Sequence, residues 1–120
     1  MDNESFDVYV EKRIEMIRKV LKSKGAEYST DGDRLSNFKR TAQMKNETPE
    51  KALQGMWAKQ LTSVFDIVDR VEKENRKMGL WFRLNPRNWL TKKLLEEKIG
   101  DAINYLIILE VMLKERCEYD

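Results

Sequence analysis

Three polar residues near the C-terminus have the types and spacing that could do chemistry. Glu97, Asp101 and Asn104 stand at i, i+4 and i+7, so on a helix they form one line. Two carboxylates one turn apart can hold a hard divalent cation, and a carboxamide beside them can both donate and accept hydrogen bonds. The row lies in Leu95–Leu113, the most apolar part of a highly charged chain, with no proline and a single glycine. Ile108 extends the line at i+11, and Ile99, Ala102, Ile103, Leu106, Ile107, Leu109 and Val111 cover most of the remaining circumference. A helix apolar on nearly all sides is normally buried. The acids and the amide then need partners, and the row is expected to line a polar pocket inside a helical bundle. A solvated helix edge is the plainer alternative.

Two further sets of residues could complete such a pocket. Lys59, Ser63 and Asp66 repeat the i, i+4, i+7 spacing on an earlier helical pattern. Facing the first row, they would gather lysine, aspartate and glutamate around one cavity. Tyr28, Asp33, Asn37, Lys39 and Arg40 form a dense group suited to sugar hydroxyls, phosphates and base edges, although the same segment also reads as a capped connector.

Composition excludes much else. The chain has no histidine, which removes the commonest general base, the Ser-His and Cys-His nucleophile arrangements, and the usual zinc sites. Hydrolysis would have to rest on carboxylates, lysines and an ion such as Mg²⁺. The single Cys117 cannot form an internal disulfide, the first residues do not resemble a signal peptide, and no apolar run reaches the roughly 18 residues of a membrane span. A cytoplasmic protein of one helical domain, residues 1–120, is expected. Net charge is +2 but uneven: residues 70–93 carry eight bases against two acids, and residues 94–120 seven acids against three bases. A basic segment beside an acidic helix suits an anionic ligand or a charge-paired subunit contact.

The elements that must position these groups follow from periodicity. Phe6, Val10, Ile14, Ile17, Val20 and Leu21 predict a first helix over 3–24, stopped at Gly25. Asp31 or Asp33 could cap a short helix from about Arg34, with Leu35, Phe38 and Ala42 facing inward. Thr48 as N-cap and Pro49 at the first position open a third helix running to about Arg76. Residues 75–94 break the pattern with Gly79 and Pro86 and interleave Trp81, Phe82 and Trp89 with Arg83, Arg87 and Lys92. That insert reads first as a structural or oligomeric element, then as a lid over an anionic ligand; nucleic acid ranks last.

Taken in order, several of these strings resemble small phage- and prophage-encoded proteins of the MazG-like, all-α NTP pyrophosphatase type. They are Tyr28 with Asp33-Arg34-Leu35-Ser36-Asn37-Phe38-Lys39-Arg40, then Thr48-Pro49-Glu50 with Ala52-Leu53. Met56-x-x-Lys59-x-x-x-Ser63-x-x-Asp66 and Glu96-Glu97-Lys98-Ile99-x-Asp101-x-x-Asn104-Tyr105 follow. The resemblance implies a bundle of four or so helices, assembled as a dimer or tetramer and acting in the cytoplasm, that of the host cell for a phage protein. It also implies Mg²⁺-dependent cleavage of a nucleoside triphosphate between its α and β phosphates. Carried over by position, Glu97 and Asp101 would bind metal with Asp66 as a possible third acid, and Lys59 would contact phosphate. Asn37 and Asn104 would hold sugar or base; Lys39 and Arg40 are expected beside the ligand from their residue types alone. The chain departs from the family pattern in two places. Lys59, Gln60, Ser63 and Asp66 stand where active members carry E-E-x-x-E, and the later motif is E-x-x-x-D rather than E-x-x-D. A nucleotide-binding protein without catalysis, and an oligomeric interaction protein, are therefore the alternatives to an enzyme.

Overall fold

The structure is a computed structural model and describes residues 1–24, 32–79, 83–84 and 88–120. The described residues are all-helical. Helix α1 spans Asn3–Lys19 and continues as a π-helical turn over Val20–Lys24. It is followed by α2 (Ser36–Lys45), α3 (Pro49–Met78) and α4 (Lys92–Cys117). None of them is long and apolar enough to cross a membrane.

The helix starts are set by short polar side chains. Asp2 accepts from the Ser5 amide, Thr48 from the Lys51 amide at 3.2 Å and Thr91 from the Leu94 amide at 3.1 Å, so three of the four helices begin on a side-chain cap. Pro49 occupies the first turn of α3, where an amide hydrogen has no intrahelical partner anyway. The exception is α2, which begins two residues later than its pattern suggests. Asp33 Oδ1 accepts from the Leu35 amide at 2.9 Å, so this carboxylate caps the preceding turn, while the N-cap residue Leu35 has no side-chain cap bond. Asn46 closes α2 in the left-handed conformation (φ 52°), and its amide returns to the last carbonyls of the helix. Gly25, Tyr28 and Asp31 lie outside the described residues, as do Trp81, Phe82, Pro86 and Arg87 of the aromatic insert.

α3 and α4 run antiparallel and form the spine. The Trp57 indole donates to the Ala102 carbonyl at 3.1 Å, and Arg116 forms a two-pronged ion pair with Glu50, both contacts at 2.8 Å. At the other end Trp89 folds back onto α3. Its indole donates to Glu74 Oε1 at 2.8 Å, and the Arg70 guanidinium lies 4.2 Å above its ring. The described part of the insert thus serves as a structural tie.

The core is small. Leu53 is fully buried, Leu35 and Met112 nearly so, and Phe38, Tyr105, Ile108 and Leu109 pack around them. Leu35, Phe38 and Ala42 face inward as their spacing predicts. α1 lies along α4 without burying a single residue, and its Phe6, Val10 and Ile14 remain exposed. The expectation that α4 would be enclosed on all sides is corrected: only Gly100 and Met112 are buried on it. Among the described residues, neighbours cover only part of its circumference, and Leu95, Leu106, Val111 and Leu113 stay exposed.

Candidate functional site

The side of α4 between its contact with α1 and its contact with α2 and α3 carries Asp101, Asn104 and Ile108, and these line a hollow of about 390 Å³. α2 contributes Asn37, Phe38 and Thr41, α3 contributes Met56, and the end of the first helix contributes Val20 and Leu21. Arg34 and Tyr105 complete the wall. A volume of this size is within the range of small-molecule sites, which are characteristically apolar with a few placed polar groups. Three residues singled out in the sequence, Asp101 and Asn104 by spacing and Asn37 by its place in a polar group, are therefore brought together.

The most telling atom is Asn104 Oδ1, which is buried and accepts no hydrogen bond among the described residues. A buried acceptor without a donor costs roughly 1–3 kcal/mol. A donor from a ligand would remove that penalty. Tyr105 sits one residue on. Burial raises its phenol pKa above the ordinary 10.0 and the nearby Asp101 charge raises it further, so the hydroxyl stays a neutral donor at physiological pH. Arg34, the only cation among the described residues lining this hollow, donates to the Leu21 carbonyl and so ties the π turn to the start of α2. Neither Arg34 nor Tyr105 stood out by spacing, because each contributes alone rather than as part of a periodic row.

Glu97 is directed elsewhere. It lines a second hollow of about 210 Å³ between α1 and α4, with Arg13, Lys19, Lys93 and Glu96, and Asn104 is shared by the two hollows. Arg13 donates to the Glu96 carbonyl at 3.3 Å, and a Cβ at Gly100 would come within 2.8 Å of its guanidinium. Gly100 therefore leaves room for the Arg13 guanidinium against α4.

Other expected site residues lie apart from the hollow. Lys59 and Asp66 are exposed on α3 and line neither hollow. At 100° per residue their row sits about 90° around the helix from the face that carries Leu53, Met56 and Gln60. Equal spacing on two helices does not make the rows face each other; the packing face of α3 was taken by its larger apolar side chains. Lys39 is held by Asp33 at 2.7 Å and Glu115 at 3.4 Å, which ties α2 to the end of α4. The Lys39 hydrogen bond keeps the Asp33 carboxyl below its ordinary pKa, and the Leu35 amide adds to the effect. Arg40 is exposed on α2 and lines neither hollow.

Among the described residues no group of three or more His, Cys, Asp and Glu side chains stands close enough to hold a metal ion. Asp66, Glu97 and Asp101 are thus not gathered as a three-carboxylate set within one chain. Glu97 and Asp101, one turn apart at the mouths of adjoining hollows, are the pair that could share an ion with the phosphates of a ligand. No protein-family model matches the chain, and no curated protein or solved structure is significantly similar to it.

Proposed function

We propose that this chain binds a nucleotide or nucleotide-like anion in the paired hollows along α4, as a protein of the MazG-like all-α type. The observation that carries the reading is the donorless Asn104 oxygen in the partition between a mostly apolar hollow and a basic one. Phe38, Met56 and Ile108 offer apolar surface to a base, while Asn37 and Asn104 offer amides to its edge or to the sugar. Arg13, Lys19 and Lys93 around the adjoining hollow suit the phosphates. The reading includes the dimeric or tetrameric assembly and the cytoplasmic setting that the resemblance implies.

The enzymatic form of this function is Mg²⁺-dependent pyrophosphohydrolysis of a nucleoside triphosphate. Mg²⁺ is usually held by one or two carboxylates together with substrate phosphates, and Glu97 and Asp101 are a pair of that kind. Bound there, the ion would neutralise phosphate charge and lower the pKa of an attacking water. Arg13 and Lys93 would hold the phosphates, and Asn104 and Tyr105 would orient the sugar and base end. The second reading is binding without cleavage. It is favoured by one observation, that no third carboxylate joins the pair among the described residues.

Thermal denaturation with a panel of nucleoside mono-, di- and triphosphates, with and without Mg²⁺, tests the proposal alongside an assay for released pyrophosphate. A ligand at 100 times its Kd adds about 2.7 kcal/mol, a shift of about 10 °C for a chain of this size. Release of pyrophosphate establishes the enzyme, and a thermal shift without release establishes the binder. Neither response from any nucleotide refutes both.

A further inference from the structure

Helix α1 is held to the rest of the chain by very little. It buries no residue, whereas α2 buries Ala42, α3 buries Ala52 and Leu53, and α4 buries Gly100 and Met112. Among the described residues its ties are hydrogen bonds at two places. Arg34 donates to the Leu21 carbonyl in the π turn at its end. Midway, Arg13 donates to the Glu96 carbonyl at 3.3 Å, longer than the about 2.9–3.0 Å of most such bonds. An element with so few buried contacts is the first to open.

The hollow between α1 and α4 works against their contact. Arg13 and Lys19 of α1 and Lys93 of α4 stand around a space of about 210 Å³. None of the three has a carboxylate within ion-pair distance among the described residues. Of the two acids in the wall, Glu96 is paired with Lys92 of its own helix at 3.8 Å, and Glu97 pairs with no cation among the described residues. Cations on both sides of an interface repel, and an anion set between them turns that repulsion into attraction.

We infer that α1 is a clasp fastened by a polyphosphate anion, which bridges Arg13 and Lys19 to Lys93 and so docks the helix on α4. The clasp rests on the reading that phosphates occupy this hollow, and adds that their binding decides the state of α1. Without the anion, α1 swings away about the π turn at Val20–Lys24, which Arg34 keeps in place. A ligand that touches only the docked state shifts the population toward it. Val20 and Leu21 also wall the larger hollow, so fastening α1 encloses the other end of the ligand in the same movement.

Hydrogen–deuterium exchange of the full chain, with and without tripolyphosphate and Mg²⁺, tests the clasp on the amides of residues 3–19. An undocked helix of that length is marginal in water, so these amides should exchange far faster than those of α4 in the ligand-free protein. Tripolyphosphate at 100 times its Kd should slow them at least about 10-fold, with about 100-fold as the ceiling. Lys93→Gln removes a repelling charge without touching α1. It should slow α1 exchange about 2- to 5-fold in the ligand-free protein and diminish the response to tripolyphosphate. An α1 already as protected as α4 without ligand overturns the clasp, as does an α1 that tripolyphosphate leaves unchanged. Faster α1 exchange in ligand-free Lys93→Gln overturns it too, because Lys93 would then be an attractive contact. Nucleotides that raise the melting temperature without slowing α1 overturn the clasp alone and leave the binding reading standing. Slowing by tripolyphosphate with no response to any nucleotide sustains the clasp and removes the nucleotide reading.

Discussion

Replacing Asn104 with leucine should make the protein more stable and less able to bind. The side chains are close in size, and the change removes a buried acceptor that has no donor. Relief of that desolvation is worth about 1–3 kcal/mol, and the better helix propensity of leucine adds about 0.5 kcal/mol. For 120 residues the entropy of unfolding near the midpoint is about 0.25 kcal/mol per degree. The ligand-free Asn104→Leu protein should therefore melt about 6–14 °C above the wild type, by circular dichroism at 222 nm, with a parallel rise in the urea midpoint. The nucleotide-dependent stabilisation should be lost in the same protein. A gain of no more than about 0.5 kcal/mol would be propensity alone and would refute the claim that the oxygen lacks a partner. A destabilised variant would show that the amide is a structural bond, and an undiminished nucleotide response would remove Asn104 from the site.

Truncation of Leu53, the one fully buried large side chain among the described residues, should cost about 2–5 kcal/mol by chemical denaturation; a loss under 1 kcal/mol would mean that the core is centred elsewhere. Glu50 has its carboxyl pKa held below the ordinary 4.5, chiefly by the hydrogen bonds from Arg116. Its contribution is present above that value and is lost as pH falls through the folded pKa. Glu50→Gln should consequently flatten the fall in stability below about pH 4.5, and an unchanged acid limb would place the acid sensitivity in other carboxylates. Arg34→Ala and Asp101→Asn should diminish the nucleotide thermal shift, whereas Lys59→Ala and Asp66→Asn should leave it within error; the reverse pattern would move the site to the outer face of α3. Gly100→Ala should push the Arg13 guanidinium off the Glu96 carbonyl. It trades a weak hydrogen bond against about 1 kcal/mol of helix propensity, so stability should change by less than about 1 kcal/mol while the basic hollow rearranges.

Local chemistry was legible in the amino-acid sequence. Thr48 and Pro49 open α3 where their types require, the apolar period of Leu35, Phe38 and Ala42 gives the inward face of α2, and Glu97, Asp101 and Asn104 do form a row on one helix. These features depend on neighbours within a turn or two, and the sequence states those neighbours directly. Tertiary packing decided the rest. It put Asp101 and Asn104 in one hollow and turned Glu97 into the next, where Arg13 of α1 reaches past Gly100 to the Glu96 carbonyl. It left Lys59 and Asp66 outside, since the rotation of a helix about its axis is set by its largest apolar side chains rather than by its polar row. It drew Lys39 into an ion pair with Asp33 and Glu115, and brought in Arg34 and Tyr105, which have no periodic signature. Spacing fixes which residues share a line on a helix; only the partner helices determine which way that line points.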